Sequence, residues 1–168
     1  MSKITGVVSI GPSLEIGAQG RLLYPNKTDM AFFCGFTQGK LVVMGRKTAE
    51  TILSGLPGRD VLVVSRTPDA AKTVSPCVGG VWDGASIQQL YEIADGREIV
   101  VAGGSEIYSM FAGLYDEFYV TINTPPYNGE YGPADAFFGE ECLTGLDSLT
   151  RIFEDRKNRF TICKYHKG

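Results

Sequence analysis

The chain has 168 residues, 43% of them hydrophobic, and a formal net charge of −3. That length and apolar content suit one globular domain spanning residues 1–168, and the slight acidity gives no electrostatic case for nucleic acid or an anionic membrane surface. No apolar run is long enough to cross a bilayer, and Met1-Ser2-Lys3-Ile4 lacks the apolar core of a signal peptide, so a cytoplasmic protein is expected.

In chain order, Ile4–Ile10 reads as a strand and Asp29–Phe36 as a helix. Lys40–Met44 is a strand, Lys47–Leu53 a helix, and Val61–Ser65 a strand. Ser86–Ala94 is a helix, Glu98–Ala102 a strand, Ser105–Leu114 a helix, and Glu117–Ile122 a strand. Thr124–Pro133 is a long loop rich in Pro and Gly. Leu149–Phe153 and Arg159–Tyr165 flank the charged turn Glu154–Asn158 and predict an antiparallel hairpin. Several strands are continuous apolar runs, as strands buried on both faces are, and their alternation with helices predicts parallel pairing and an α/β class.

The cysteines, Cys34, Cys77, Cys142 and Cys163, show no CxxC spacing, so neither a zinc site nor a redox pair is expected. The only histidine, His166, lies two residues from the C-terminus, which excludes a serine or cysteine triad built on a central histidine. No metal site is predicted.

Three segments are built to receive phosphate. In Val101-Ala102-Gly103-Gly104-Ser105-Glu106-Ile107-Tyr108 an apolar strand stops at paired glycines and a helix opens at once. Bare N–H groups and the positive end of a helix dipole then point the same way. Met44-Gly45-Arg46-Lys47-Thr48 repeats the design with two cations, which the helix dipole disfavours unless an anion is near. Two such cradles suit a dinucleotide. Ser65-Arg66 follows a third strand and is placed for an additional phosphate, such as the 2′-phosphate of NADP. The structural alternatives are strand–helix turns and solvated surface charge.

Asp29 has two readings. It is an N-cap or first-turn acid, or a carboxylate beside Leu22, Tyr24, Phe32 and Phe33 that faces a cavity and pairs with the amidine-like edge of a flat ligand. Arg59, after the turn Leu56-Pro57-Gly58, is either solvated or holds a carboxylate. Three segments mislead: Gly35–Leu41 has the wrong spacing for a P-loop, Asn26-Lys27-Thr28 is a sequon without signs of secretion, and no GxGxxG occurs. Trp82 is assigned to packing.

Taken in order, these motifs resemble dihydrofolate reductase from Ile4 to about Ile122. Ile4–Gly17 resembles the family's opening strand and Ile-Gly step, and Leu22–Phe33 its active-site loop and first helix. Val43-Met44-Gly45-Arg46-Lys47-Thr48, Leu56-Pro57-Gly58-Arg59, Val61–Arg66 and Val101-Ala102-Gly103-Gly104 with Ile107-Tyr108 follow at the family's spacing. The C-terminal third is recognisable mainly through its hairpin. The resemblance implies a single-domain, three-layer α/β fold with a mostly parallel central sheet, flanking helices and a C-terminal antiparallel hairpin. It implies reduction of 7,8-dihydrofolate by NADPH, with hydride to C6 and a proton to N5 taken from water.

The resemblance also implies residue roles. Asp29 would bind the pterin N3 and 2-amino edge, Thr121 would hydrogen-bond to Asp29 or to a shared water, and Leu22 and Tyr24 would join them in the catalytic group. Phe33 would stack on the pterin, Val7 and Ala102 would meet its edge through backbone groups, and Tyr108 would stand beside them. Ile52 and Leu56 would line the p-aminobenzoyl slot, and Arg59 would clamp the glutamate α-carboxylate. Ser9, Ile16, Gly17 and Leu22 would surround the nicotinamide. Gly45, Arg46, Lys47, Thr48, Gly103, Gly104, Ser105, Glu106 and Ile107 would flank the phosphates, and Ser65 and Arg66, with Arg46, would favour NADPH over NADH. The Gly103–Gly104 peptide is expected to be cis.

Leu23-Tyr24 replaces the family's usual proline-tryptophan, which predicts altered mobility of the loop Ala18–Asn26. Val7 and Met30 alter the pocket wall and predict altered affinity for diaminopyrimidine antifolates. Two rivals share the scaffold. One is a pyrimidine reductase of flavin synthesis, which lacks an aspartate at the start of this helix. The other is a non-catalytic folate-binding or structural protein, which needs neither Asp29 and Arg59 nor the phosphate cradles. A monomer is expected.

Overall fold

The computed structural model of the chain describes residues 2–52, 59–66 and 78–168. Its strands are β1 (Ile4–Ile10), β2 (Glu15–Ala18), β3 (Arg21–Leu22), β4 (Leu41–Gly45), β5 (Asp60–Val64), β6 (Val78–Trp82), β7 (Ile99–Val101), β8 (Glu117–Asn123), β9 (Ala136–Phe137), β10 (Ser148–Asp155) and β11 (Phe160–His166). The helices are α1 (Lys27–Phe36), α2 (Arg46–Ile52), α3 (Ile87–Ala94) and α4 (Ser105–Met110), with a 3₁₀ turn at Glu140–Leu143.

Eight strands form one sheet in the order β10-β11-β8-β1-β7-β4-β5-β6. Pairing is parallel from β8 through to β6 and antiparallel only for β8–β11 and β11–β10. Strands β3, β2 and β9 make a second, small antiparallel sheet.

The central strands are buried on both faces, which is why they read as unbroken apolar runs. Along β4 and β5, Leu41, Val43 and Leu62 pack with Ile99, Val101, Leu90 of α3, and Tyr108 and Phe111 beside or on α4. The intervening Val42, Met44, Val61 and Val63 pack with Ala49 of α2, and Phe33 and Cys34 of α1 lie against that opposite cluster. Each such aliphatic chain contributes about 1.5–3 kcal/mol when fully buried. Trp82 is buried against Phe111, a packing role. No described helix is long and apolar enough to cross a membrane.

Several predicted bounds move. Helix α1 begins at Lys27 because Asn26 caps it: its Oδ1 accepts from the N–H groups of Thr28 at 2.9 Å and Asp29 at 3.1 Å. The triplet set aside as a false sequon is thus a helix start, and Asp29 is a first-turn acid rather than the cap. Helix α4 ends at Met110, short of Leu114, because Ala112 and Leu114 N–H groups bond three residues back, to Ser109 and Phe111. Strand β10 runs longer than predicted at both ends and β11 lies one residue further on, which leaves 156–159 as the turn.

Strands β2, β3, β6 and β9 carry no readable period. Two are only two residues long, and β6 contains Gly79-Gly80, a weak strand signal. The segment expected to be a loop over Ala18–Asn26 begins as a hairpin, with Ala18 paired to Arg21 across Gln19 (φ 50°) and Gly20 (φ 75°). Positive φ at both central residues is what a tight hairpin turn requires. The helix end predicted at Leu53 lies outside the described residues.

Candidate active site

Parallel pairing aligns the C-terminal ends of the strands along one edge of the sheet, where ligands of open α/β sheets bind. Ser9 of β1 is in register with Thr121 of β8. On the other side, Val43 is in register with Val101, and Gly45 with Val64. Gly103 beyond β7, Gly45 at the end of β4 and Ser65 after β5 therefore stand side by side, although they are far apart in sequence.

A cavity of about 340 Å³ opens between the end of β1 and the start of α1. Ser9, Ile16, Leu22, Leu23, Tyr24, Asp29 and Met30 are among its lining residues. Five of these, Ser9, Ile16, Leu22, Tyr24 and Asp29, belong to the predicted set. Asp29 is half-buried, and its Oδ1 accepts a hydrogen bond of 2.6 Å from Thr121 Oγ1. Burial pushes the Asp29 carboxyl above its ordinary range, and the Thr121 hydroxyl opposes that rise. The result is a proton acceptor in an apolar cavity, suited to a ligand with adjacent N–H donors.

Other predicted residues act at one remove. Tyr108 is buried, and its hydroxyl donates to the Val7 carbonyl at 2.6 Å. It reaches the site through Val7, whose carbonyl keeps a second lone pair. Burial raises the Tyr108 phenol far above its usual value, with the charges of Cys142 and Asp29 adding to the effect, so it stays a donor. The Ala102 N–H donates to Val43 O at 2.8 Å, and Phe33 and Ala102 pack on the same cluster between α1 and β4. Phe32, the neighbour of Phe33, instead stacks on Phe36 at 5.7 Å.

The two segments predicted as phosphate cradles lie against each other. Gly45 N–H donates to Gly103 O at 2.8 Å, and Thr48 Oγ1 lies 3.6 Å from where a Cβ on Gly104 would stand. The Gly103–Gly104 peptide is cis, and Gly103 has φ 114°. No side chain caps α4 at Gly104, so its first-turn amides are offered outward. A Cβ on Gly45 would come within 3.2 Å of Ile107 Cγ1. These features fit a diphosphate approaching backbone closely. Glu106 is exposed in the first turn of α4, so any part it plays there is through backbone. The anionic partner that Arg46 was expected to seek is within the chain: its Nε lies 3.6 Å from Glu50 Oε1, an exposed pair of small worth. Lys47 makes no ion pair among the described residues. Gly17 is buried in β2 opposite Leu22. Ser65 N–H donates to Trp82 O at 3.0 Å, and Arg66 is exposed.

Arg59 stands at the start of β5, where its Nη2 donates to Cys34 O of α1 at 2.8 Å. Its Nε and Nη1 are buried without a hydrogen-bond partner among the described residues. Such orphaned donors are costly unless a ligand supplies acceptors, and a carboxylate supplies two. Ile52 ends the described part of α2, and Leu56, Pro57 and Gly58 lie outside the described residues.

Two contributors escaped the sequence reading. Asn123, buried at the end of β8, donates from Nδ2 to Ser9 Oγ and to Ile10 O, both at 2.9 Å, and so orients Ser9. An asparagine closing an otherwise apolar strand was the available signal. Glu15 is buried beside Tyr24, and its position among apolar residues gave no sign that it would turn inward.

A family model described as dihydrofolate reductase matches residues 3–142. The dihydrofolate reductase of Neisseria meningitidis is 35% identical over 140 residues, covering 82% of this chain and 80% of that protein. Dihydrofolate reductase type 3 of Salmonella typhimurium is 33% identical over 167 residues, covering 96% and 94%. In fold, the chain is similar to a dihydrofolate reductase from Enterococcus faecalis solved with NADP(H) and RAB-propyl, with a TM-score of 0.77 over 98% of this chain and 95% of that one at 24% identity.

Proposed function

The chain belongs to the dihydrofolate reductase family and is an NADPH-dependent reductase of 7,8-dihydrofolate, and we propose that the Asp29 cavity is where the pterin ring is held. The observation that carries this placement is the half-buried Asp29 carboxylate, hydrogen-bonded to Thr121 and lining a cavity with Ser9, Ile16 and Leu22.

Asp29 accepts from the pterin N3 and 2-amino group and holds the tautomer in which N5 takes up a proton from water. Thr121 orients that carboxylate. Val7 and Ala102 meet the pterin edge through backbone groups, with Tyr108 fixing the Val7 carbonyl. Phe33 packs against the ring, Ile52 and Leu56 line the p-aminobenzoyl slot, and Arg59 takes the glutamate α-carboxylate with its two orphaned donors. Bound NADPH supplies the hydride that goes to C6. Ser9, Ile16, Gly17 and Leu22 would shape the nicotinamide site. The backbone from Gly103 to Ile107 and from Gly45 to Thr48, with Arg46 and Lys47, would hold the phosphates, and Ser65 and Arg66 the 2′-phosphate. The chain's own contribution is alignment, exclusion of water and electrostatics.

We read residues 1–168 as one domain, since the eight-stranded sheet takes strands from both ends of the chain. We also read the protein as a cytoplasmic monomer. Diaminopyrimidine antifolates would occupy the same cavity, with affinity altered by Val7 and Met30.

The test is the fall in reduced-nicotinamide absorbance when the protein meets NADPH and dihydrofolate, with NADH run in parallel. A folate-dependent fall much faster with NADPH supports both halves of the site. Equal rates with the two nucleotides remove Ser65 and Arg66 from the cofactor assignment.

A further inference from the structure

Glu15 is a carboxylate buried to 6% exposure, and no lysine or arginine pairs with it among the described residues. Its Oε1 accepts instead from the Tyr24 hydroxyl at 3.1 Å and from the Ser13 N–H at 3.2 Å. The backbone reinforces this corner: Gly11 N–H donates to Glu15 O at 3.0 Å, and Leu14 N–H to Gly11 O at 3.1 Å. Any Cβ on Gly11 would overlap the Glu15 carboxylate and the Tyr24 hydroxyl. Glycine at the end of β1 is therefore a condition for their meeting.

A buried carboxylate without a cation is expensive, so apolar residues would serve stability better. Glu15 sits on β2, and Tyr24 lies beyond β3 in the segment that roofs the Asp29 cavity. We propose that Glu15 is a positioning residue for the reductase: by holding the Tyr24 hydroxyl it fixes the segment from Leu22 to Asn26 over the cavity in which Asp29 holds the pterin. The inference rests on the placement of the pterin at Asp29. Burial, and then the Glu15 hydrogen bond, raises the Tyr24 phenol to about 12, so the hydroxyl remains the donor over the working pH range. Glu15 touches no reacting atom. It acts by keeping Leu22 and Tyr24 in the arrangement that brings the two rings together.

The test is single-turnover oxidation of NADPH by saturating dihydrofolate in Glu15→Leu, Glu15→Gln, Tyr24→Phe, the double variant Glu15→Leu/Tyr24→Phe, and Asp29→Asn, with folding checked by circular dichroism. Glu15→Leu and Tyr24→Phe are each expected to slow hydride transfer about tenfold, with little change in the Kd of NADPH. The double variant is expected to be no slower than either single one, since the two side chains act as one unit. Glu15→Gln keeps an acceptor oxygen and is expected to restore most of the rate. Tyr24→Phe removes one atom and so decides the matter should Glu15→Leu fail to fold. Hydride rates unchanged in Tyr24→Phe, additive losses in the double variant, or no rescue by Glu15→Gln would each overturn the proposal. If Asp29→Asn is slow while Tyr24→Phe is not, only the role of Glu15 fails. If Asp29→Asn is also unimpaired, the pterin placement fails and takes the role of Glu15 with it.

Discussion

Thr121 and Asp29, 92 residues apart in sequence, are joined by a 2.6 Å hydrogen bond from Oγ1 to Oδ1. Thr121 is buried on β8, and Asp29 comes from the first turn of α1. The hydroxyl favours the charged carboxylate and opposes the burial that disfavours it. Thr121→Val is therefore expected to move the Asp29 ionisation upward, and the acidic limb of the kcat/KM profile with it. A pH profile of the variant measures this directly, and an unmoved limb would detach Thr121 from the ionisation.

Asp29→Asn separates function from stability. Loss of the carboxylate is expected to lower kcat/KM by about 10²–10⁴-fold, the usual range for a positioned ionisable group. Stability is expected to move the other way. The folded Asp29 ionises at higher pH than the free side chain, whose ordinary value is 3.8. Between those two values the folded state binds more protons than the unfolded one, so stability falls as pH rises through the folded pKa. At neutral pH the variant escapes that cost and melts higher than the parent. The gap closes below the ordinary carboxylate range, where both states are protonated. Melting curves at neutral and acid pH check the sign.

Arg59 carries two buried donors without partners among the described residues. Arg59→Lys removes the planar fork and is expected to raise the KM for dihydrofolate about 10–100-fold while changing kcat little. A pterin lacking the glutamate moiety is expected to show no such difference between parent and variant. An equal effect on both substrates would place the carboxylate elsewhere.

Arg66 is exposed just beyond β5, on the sheet edge that carries the proposed phosphate site. Arg66→Ala is expected to raise the KM for NADPH about tenfold and leave that for NADH unchanged, because only the former carries the 2′-phosphate. The ratio of kcat/KM for the two nucleotides is the measurement.

Glu117 lies at the opposite end of the sheet, 2.8 Å from Lys3 Nζ and 3.1 Å from Lys164 Nζ. Burial alone would raise its pKa, but the two ammonium groups hold it below the ordinary 4.5. Such a group stabilises above its unfolded pKa, and that contribution is lost as pH falls through the folded value. Glu117→Gln is expected to lower the melting temperature at neutral pH by about 2–4 °C, given partly exposed partners, and to converge with the parent in acid.

Much of the candidate site was legible because its determinants are local. The Gly103-Gly104 pair, Gly45-Arg46-Lys47 and Ser65-Arg66 each follow an apolar strand, and a strand–glycine–helix sequence states its own geometry. Asp29 and Arg59 stood out as ionisable groups in apolar or turn contexts. What escaped was set by partners distant in sequence. Asn26 was dismissed with the false sequon, yet it caps α1 and leaves Asp29 turned toward the cavity. Strands β2, β3 and β9 are too short for a period and exist because they pair with one another. Tyr108 reads as part of the substrate site, but its hydroxyl is spent on Val7, 101 residues earlier.

The amino-acid sequence by itself determined the class of fold, the order of its elements and the family, because apolar periodicity and glycine placement are properties of short segments. Only the tertiary structure decided which ends of those segments meet. Parallel pairing of β7, β4 and β5 brought two glycine-bearing strand ends and a cationic one to one edge. The β1–β8 register set Ser9 beside Thr121, and the glycine at position 11 let a buried Glu15 reach Tyr24. Sheet register and burial are collective quantities. A carboxylate's ionisation depends on what surrounds it in space, and that surrounding is assembled from residues the chain keeps far apart.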